Sequence, residues 1–245
     1  MNQNWVLILG ASSDMARAAA RSFAREGYNI YLASRNTQEL DREARHLALK
    51  YGRKAKSLYF DALDTASHPG FYAGLEPRPA GALLAFGILG DQKEAQNDFS
   101  LARQVMYTNY VCAVSILEVI AADFEQRGEG FIAGISSVAG DRGRQSNYIY
   151  GSAKAGLSTY LSGLRHRLFK TGVHVLAVKP GFVATKMTAG LGLPEKLTAQ
   201  PTEAGERIVK AVKKRKDTIY IKPIWRLIMC IIVCLPEFVF KRTGL

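Results

Sequence analysis

Three cysteines, Cys112, Cys230 and Cys234, are all that the 245 residues hold, an odd number with no two at CxxC spacing. A disulfide framework of the kind that staples small secreted domains is excluded, and a reducing, cytoplasmic compartment is the simpler expectation. No leader is legible: residues 5–9 are a short apolar run that passes directly into a glycine turn, without the basic flank and small-residue cleavage site of a signal peptide. Internal repeats, low-complexity tracts and linkers are missing, and no metal site is expected. Acidic residues are scarce at one end. From Arg207 to Leu245 ten Lys and Arg face only Asp217 and Glu237, so this stretch carries +8 of the net +12 and leaves +4 for the first 206 residues. Basic character confined to one end does not suit a general nucleic-acid surface, and no nucleic-acid partner is expected. What the chain does have is 48% hydrophobic and 22% charged residues, which excludes wholesale disorder, and a length that suits one α/β domain.

The apolar residues are grouped in runs of strand length at 5–9, 29–33, 57–60, 82–86, 130–135, 173–178 and 218–221. These runs are near-continuous rather than alternating, as expected of parallel strands covered on both faces. Segments with helix signals separate them. Asn36 and Glu39 have the spacing of a capping box, and Gly27, Gly52 and Gly172 stand where helices should stop. The pattern predicts a single doubly wound (Rossmann) α/β domain over residues 1–222: a seven-stranded, mostly parallel sheet with helices on both faces, in three layers. In such sheets ligands bind beyond the C-terminal strand ends.

The first strand ends in Gly10, Ala11, Ser12, Ser13, Asp14, Met15 and Ala16, a tight turn into a helix. Such a turn offers free N–H groups and a positive dipole end to a pyrophosphate, although a generic strand-to-helix turn reads the same way. Asp14 is awkward beside a pyrophosphate and is expected to cap the helix and point away. Arg35, after the second strand, suits the 2′-phosphate of NADP, with Ser12 and Ser34 as further donors. A solvated surface arginine is the competing reading, and NADP(H) is favoured over NAD(H). Asp61, beside Ala62, is placed either to meet the adenine amino group or to serve as an ordinary turn aspartate.

The sharpest pattern is Ser137 at the end of the fifth strand, followed by Tyr150 and Lys154. Tyrosine and lysine four apart share one helix face. A phenol has a reference pKa near 10, and a neighbouring positive charge brings it down toward the working range of an acid/base. Tyr148 is followed four residues on by Ser152 and lacks that partner.

Gly10, Asp61, Asn109, Ser137, Tyr150, Lys154, Pro180 and Gly181 have the order and approximate spacing of the short-chain dehydrogenase/reductase family, which the chain resembles over about residues 4–221. The turn departs from the family's TGxxxGxG at Asp14 and Ala16. The family's Asn-Asn-Ala-Gly appears as Leu84, Ala85, Phe86 and Gly87, with only the glycine kept. The resemblance implies Tyr150 as general acid/base, Ser137 orienting the carbonyl or alcohol, and Lys154 lowering the tyrosine pKa and binding the nicotinamide ribose. It implies Asn109, inside a helix Phe99–Arg127, anchoring a relay water. Gly10, Ser12, Ser13, Met15, Arg35, Asp61, Ala62, Gly87, Tyr150, Lys154, Pro180, Gly181 and Val183 would contact the cofactor. It further implies a homodimer or homotetramer, paired through Phe99–Arg127 and a helix near 150–170.

Residues 136–156 also resemble the ketoreductases of decaprenylphosphoryl-ribose 2′-epimerisation, which act on a keto sugar carried on a polyprenyl phosphate. Arg142 and Arg144 would meet such a phosphate, or are solvated loop charges. The tail, 223–245, has an apolar core of only nine residues at 227–235, far short of the roughly 20 of a spanning helix. It reads as an interfacial segment with Trp225, Phe238 and Phe240 as anchors on the inner face of a membrane, or as part of a subunit interface. The expected activity is NADP-dependent ketone–alcohol interconversion on a keto sugar or lipid-linked ketone. A catalytically silent dinucleotide-binding subunit and a peripheral membrane protein are the alternatives.

Overall fold

In the computed structural model, which describes residues 4–190 and 192–244, each expected apolar run becomes a strand of one sheet. These are β1 (Trp5–Leu9), β2 (Asn29–Ser34), β3 (Ala55–Tyr59), β4 (Gly81–Leu84), β5 (Phe131–Ile135), β6 (His174–Lys179) and, last in the chain, β9 (Thr218–Tyr220). Between β6 and β9 a separate parallel pair forms from β7 (Phe182–Val183) and β8 (Thr198–Ala199). The main sheet runs β3-β2-β1-β4-β5-β6-β9 with every pairing parallel. The chain winds outward one way from β1 and the other way from β4. The gap between their C-terminal ends is the switch point where such sheets bind ligands.

Both faces of β1 are buried, which is why its sequence does not alternate. Val6 and Ile8 pack with helices α1 (Asp14–Arg25), α2 (Thr37–Tyr51) and α8 (Pro201–Lys213). Trp5, Leu7 and Leu9 pack on the other face with α3 (His68–Ala73), α6 (Cys112–Arg127) and α7 (Tyr148–Leu168). This is the expected three-layer, doubly wound domain. Gly205 in α8 lets that helix lie on α1, since a β-carbon there would sit 2.4 Å from the Ala18 carbonyl carbon.

The capping box at Asn36 is only half made. Asn36 Oδ1 accepts from Glu39 N–H at 3.3 Å, but the Glu39 carboxylate is drawn to Arg17 instead of returning to the cap. The segment α4 (Gln92–Ala95) precedes a long helix, Phe99–Arg127, whose central turn is not α-helical. It consists of α5 (Phe99–Met106), a π turn at Tyr107–Val111 and then α6. This helix is long and apolar enough to cross a membrane, with a mean hydropathy of 1.6 over its most apolar window, but half of that window is buried inside the domain. The tail forms α9 (Ile224–Cys234) and α10 (Glu237–Phe240), which fold back to make a third apolar cluster with Val138.

Candidate active site

Ser137, Tyr150 and Lys154 are brought together because two glycines let a turn lie on a helix. The short turn Val138–Gly140 follows β5. A β-carbon on Gly140 would meet the Ala155 nitrogen at 2.7 Å, and one on Gly151 would meet the Ala139 carbonyl oxygen at 2.8 Å. Ser136 Oγ ties the same join, donating to the Lys154 carbonyl at 2.8 Å. Ser137 caps the turn by accepting from Ala139 N–H at 3.1 Å.

Lys154 is buried, with Nζ donating to the Ile135 carbonyl at 3.0 Å and standing 5.7 Å from the centre of the Tyr150 ring. Burial without a carboxylate partner lowers its pKa to about 8. Burial likewise pushes the Tyr150 phenol up to about 12, and its hydrogen bond with Ser137 pulls the other way. The Lys154 ammonium is engaged here by a backbone carbonyl. Tyr148 is exposed, two residues from Tyr150.

Asn109 lies in the π turn, a local widening of the helix often found at functional positions. Its Nδ2 donates to the carbonyls of Ile88 at 2.7 Å and Val105 at 2.9 Å, while Oδ1 is buried with no partner. A β-carbon on Gly87 would lie 2.4 Å from that Oδ1 and 3.3 Å from Lys154 Nζ. Glycine at 87 thus lets the backbone lie close to the unsatisfied acceptor and the lysine.

A cavity of about 690 Å3 opens at the C-terminal ends of β1, β2 and β4. Gly10, Ser12, Ser13, Arg35, Asp61, Ala62 and Gly87 line it. Gly10 has φ +80°, and a β-carbon there would approach the Phe86 nitrogen to 2.5 Å, so this turn demands glycine. Ser12 and Ser34 share a 2.7 Å hydroxyl contact across the ends of β1 and β2, and the exposed Arg35 stands at the rim. Asp61 Oδ1 accepts from Leu63 N–H at 3.0 Å. The remaining expected contacts do not line this cavity. Met15 packs against the core, Val183 is buried in it, and the Pro180 carbonyl accepts from Val138 N–H at 3.0 Å. Gly181 is covered by Trp225, whose ring would lie 2.0 Å from an added β-carbon.

Asp14 is not the helix cap. Ser13 is, accepting from Ala16 N–H at 3.1 Å, and Asp14 Oδ2 instead accepts from Lys186 N–H at 2.9 Å. Asp14 lines a neighbouring groove, and its bond holds the turn that places Met187 against the cofactor-sized cavity. Met187, Thr108 and Phe86 are lining residues that the sequence did not single out. Thr108 was within reach, being next to Asn109, but Met187 arrives by a long-range contact that no local pattern carries.

Arg142 and Arg144 meet neither expectation, phosphate contact or solvated loop charge, because both side chains are engaged by the C-terminal tail. Arg142 donates to the carbonyls of Ile232 at 2.5 Å and Leu235 at 2.6 Å, pairs with Glu237 at 2.8 Å, and stacks 3.9 Å from the centre of the Phe240 ring. The last carbonyls of a helix lack intrahelical partners, and the guanidinium supplies them. Arg144 Nη2 lies 3.0 Å from Met229 Sδ, and burial lowers its pKa. Two of the expected membrane anchors are likewise accounted for internally. Trp225 and Phe240 are buried in the third cluster, and Trp225 Nε1 donates to the Leu197 carbonyl at 3.1 Å. Phe238, the third, is exposed, as are Leu227 and Ile231.

The chain matches the family model for short chain dehydrogenase over residues 4–196. An uncharacterized oxidoreductase of Mycobacterium tuberculosis is 39% identical over 240 residues, covering 97% of this chain and 96% of that protein. Another from Streptomyces coelicolor is 34% identical over 246 residues, covering 97% and 94%. Among solved structures, a short-chain dehydrogenase from Sphingobium yanoikuyae in complex with NADPH superposes with a TM-score of 0.82 at 23% identity, covering 96% of this chain and 97% of that one. At that identity the likeness is one of fold.

Proposed function

The chain belongs to the short-chain dehydrogenase family and is an oxidoreductase, and from that premise we propose that it interconverts a ketone and a secondary alcohol with Tyr150 as general acid/base. The observation that carries the reading is the convergence of Ser137, Tyr150 and Lys154 at the join of β5 and α7, with Lys154 Nζ 5.7 Å from the centre of the Tyr150 ring and the buried, unpartnered Asn109 Oδ1 close to Gly87. A buried acceptor without a partner is uncommon, and Asn109 Oδ1 is the group that a relay water would meet. Ser137 orients the substrate oxygen, Tyr150 exchanges its proton, and Lys154 with Asn109 connects that proton to solvent. Burial pushes the phenol up, and the positive charge of an oxidised nicotinamide, like that of Lys154, would favour the phenolate and work against that push.

The cofactor of this reading is NADP(H), favoured over NAD(H), which supplies or accepts a hydride when bound. The cavity fits a dinucleotide in size and in its glycine-formed floor at Gly10. Gly10, Ser12, Ser13, Met15, Asp61, Ala62 and Gly87 belong to its binding segments, and Arg35 to a 2′-phosphate. Tyr150 and Lys154 belong to the nicotinamide ribose, and Pro180, Gly181 and Val183 to the nicotinamide end. The substrate is a keto sugar or lipid-linked ketone. The resemblance of residues 136–156 supports this, and the exposed apolar side chains of α9 and α10 support contact of residues 223–245 with the inner face of a membrane. Exposed Phe99, Tyr110 and Val111 support pairing of subunits through the helix Phe99–Arg127. The test is NADPH absorbance against a panel of keto sugars, prenyl-linked sugars and long-chain ketones. Turnover should fall at least 1000-fold in Tyr150→Phe while NADPH still binds. Near-normal turnover in that variant removes Tyr150 from its role, and a wild type inactive on every ketone while binding NADPH favours a silent dinucleotide-binding subunit.

A further inference from the structure

The short turn Lys186–Thr188 divides two hollows. On one side is an open groove of about 800 Å3, lined by Lys186 and Thr188 together with Asp14 of α1. On the other is the cofactor-sized cavity, lined by Met187, whose side chain is 48% exposed. Asp14 lines the groove and not the cavity. Its carboxylate, awkward beside a pyrophosphate, is turned to other use.

The turn is braced within itself. Thr188 Oγ1 accepts from Thr185 N–H at 3.1 Å and donates to the Val183 carbonyl at 2.5 Å, and the β7–β8 pair closes the base of the loop that carries it. Lys186 ties this unit to the helices beside the cavity. Its N–H donates to Asp14 Oδ2 at 2.9 Å, and its Nζ stands 3.9 Å from Glu39, a carboxylate already engaged by Arg17. The Lys186 side chain is 79% exposed, so solvent weakens the ion pair and the backbone bond to Asp14 is the firmer hold. Helix α1 does not need Asp14 for its own start, because Ser13 is the cap.

We propose that Asp14 is a positioning residue for the cofactor: by holding the Lys186–Thr188 turn it keeps Met187 against the bound dinucleotide and slows its release. An exposed apolar side chain on a cavity wall gains burial when a ligand fills the cavity, and a thioether adapts its shape to the ligand. A turn already held in place need not be ordered on binding. One that is in place only part of the time weakens binding by that fraction. The inference rests on the reading of the 690 Å3 cavity as the dinucleotide site.

Fluorescence titration with NADPH gives Kd, and stopped-flow chase of NADPH from the preloaded protein gives koff. Asp14→Ala removes both the acceptor and the charge, whereas Asp14→Asn removes the charge and keeps an acceptor; Ser13 still caps α1 in each. Asp14→Ala should raise Kd and koff about fivefold or more, as loss of a hydrogen bond to a charged acceptor implies, while Asp14→Asn stays within about twofold of the wild type. Met187→Ala should also raise koff, and adding Asp14→Ala to it should change koff less than twofold further, because the two act through one side chain. In the cofactor-free protein, hydrogen exchange at the Lys186 amide should speed up in Asp14→Ala and not in Asp14→Asn. A carboxylate that merely repels the pyrophosphate gives the opposite sign, with both Asp14 variants binding NADPH more tightly, and that result overturns the proposal. So does an unchanged koff in Asp14→Ala, or a full additional effect on top of Met187→Ala, in a protein that binds NADPH normally. A wild type that binds no NADPH overturns the reading of the cavity itself, and the proposal with it.

Discussion

Lys154 is the residue whose surroundings conflict most with its charge. No carboxylate bonds it, its ammonium is met by the Ile135 carbonyl, and its pKa falls from 10.5 to about 8. The folded protein thus holds fewer protons on this group than the unfolded chain between pH 8 and 10.5, and its contribution to stability rises with pH across that window. Against Lys154→Met, which has no such titration, the wild type should gain roughly 3 kcal/mol between pH 7.5 and 10.5, because each pH unit separating the folded and unfolded values is worth about 1.36 kcal/mol. Denaturant unfolding of both proteins across this range measures it, and a constant difference removes the buried ammonium. Arg35 poses a different problem, since an exposed side chain at the rim of a cavity acts through its charge alone. Arg35→Asp should lower kcat/KM for NADPH by at least 10-fold and raise the NADH to NADPH ratio, because a carboxylate repels a 2′-phosphate and can accept from ribose hydroxyls. An unchanged ratio would place Arg35 outside the cofactor site.

Among the elements, the join of α9 to the domain depends on one guanidinium. Arg142 satisfies two carbonyls at the end of α9, pairs with Glu237 and covers Phe240, and its own side chain is only 14% exposed. Arg142→Ala leaves those carbonyls short of partners and opens the third cluster. A loss of about 2–3 kcal/mol is expected, with greater quenching of Trp225 by acrylamide. Trp5 is stacked on Tyr31 in the main core and serves as the internal reference. If stability and quenching are unchanged, the tail is held by its apolar contacts alone. The π turn is the other element that matters. By widening the helix at Tyr107–Val111 it carries Asn109, whose amide bonds the Val105 carbonyl four residues back and the Ile88 carbonyl after β4.

At the scale of the whole molecule, most of the basic charge precedes the apolar tail along the chain: seven of the ten Lys and Arg lie at 207–222, and Arg226 and Glu237 cancel within α9 and α10. The stretch with +8 includes α9 and α10, on which Leu227, Ile231 and Phe238 face outward. Deleting the tail would uncover Gly181 and Val138, so substitution on its outer face is the cleaner probe. Leu227→Glu with Ile231→Glu should cut sedimentation with anionic vesicles by at least fivefold while Tm stays within about 2 °C, since both side chains are exposed and lose little packing. Added salt should weaken attachment of the wild type without abolishing it, because charge is screened over about 10 Å at 0.1 M and apolar burial is not. Vesicle binding that survives both substitutions, or a wild type that never sediments with vesicles, would end the membrane reading.

The inner strands of the main sheet were legible in the sequence because both faces of the sheet are covered there, so each is a run of apolar residues that needs no neighbour to be recognised, whereas the edge strands β3 and β9 are only partly covered. The turn at Gly10, the glycine at 87 and the Ser137, Tyr150 and Lys154 set were legible for a related reason. Backbone demands and helical spacing are local, and they survive in the order of the residues. What the sequence could not decide lies between segments far apart along the chain. Asp14 bonds Lys186, 172 residues on, rather than capping its own helix. Arg142 bonds carbonyls 90 and 93 residues away rather than a phosphate. Trp225 covers Gly181, and Gln92 takes the N–H that Asn147 would have capped. A carboxylate, guanidinium or carboxamide goes to whichever unpaired backbone group the fold brings within about 3 Å, and only the tertiary structure determines which group that is.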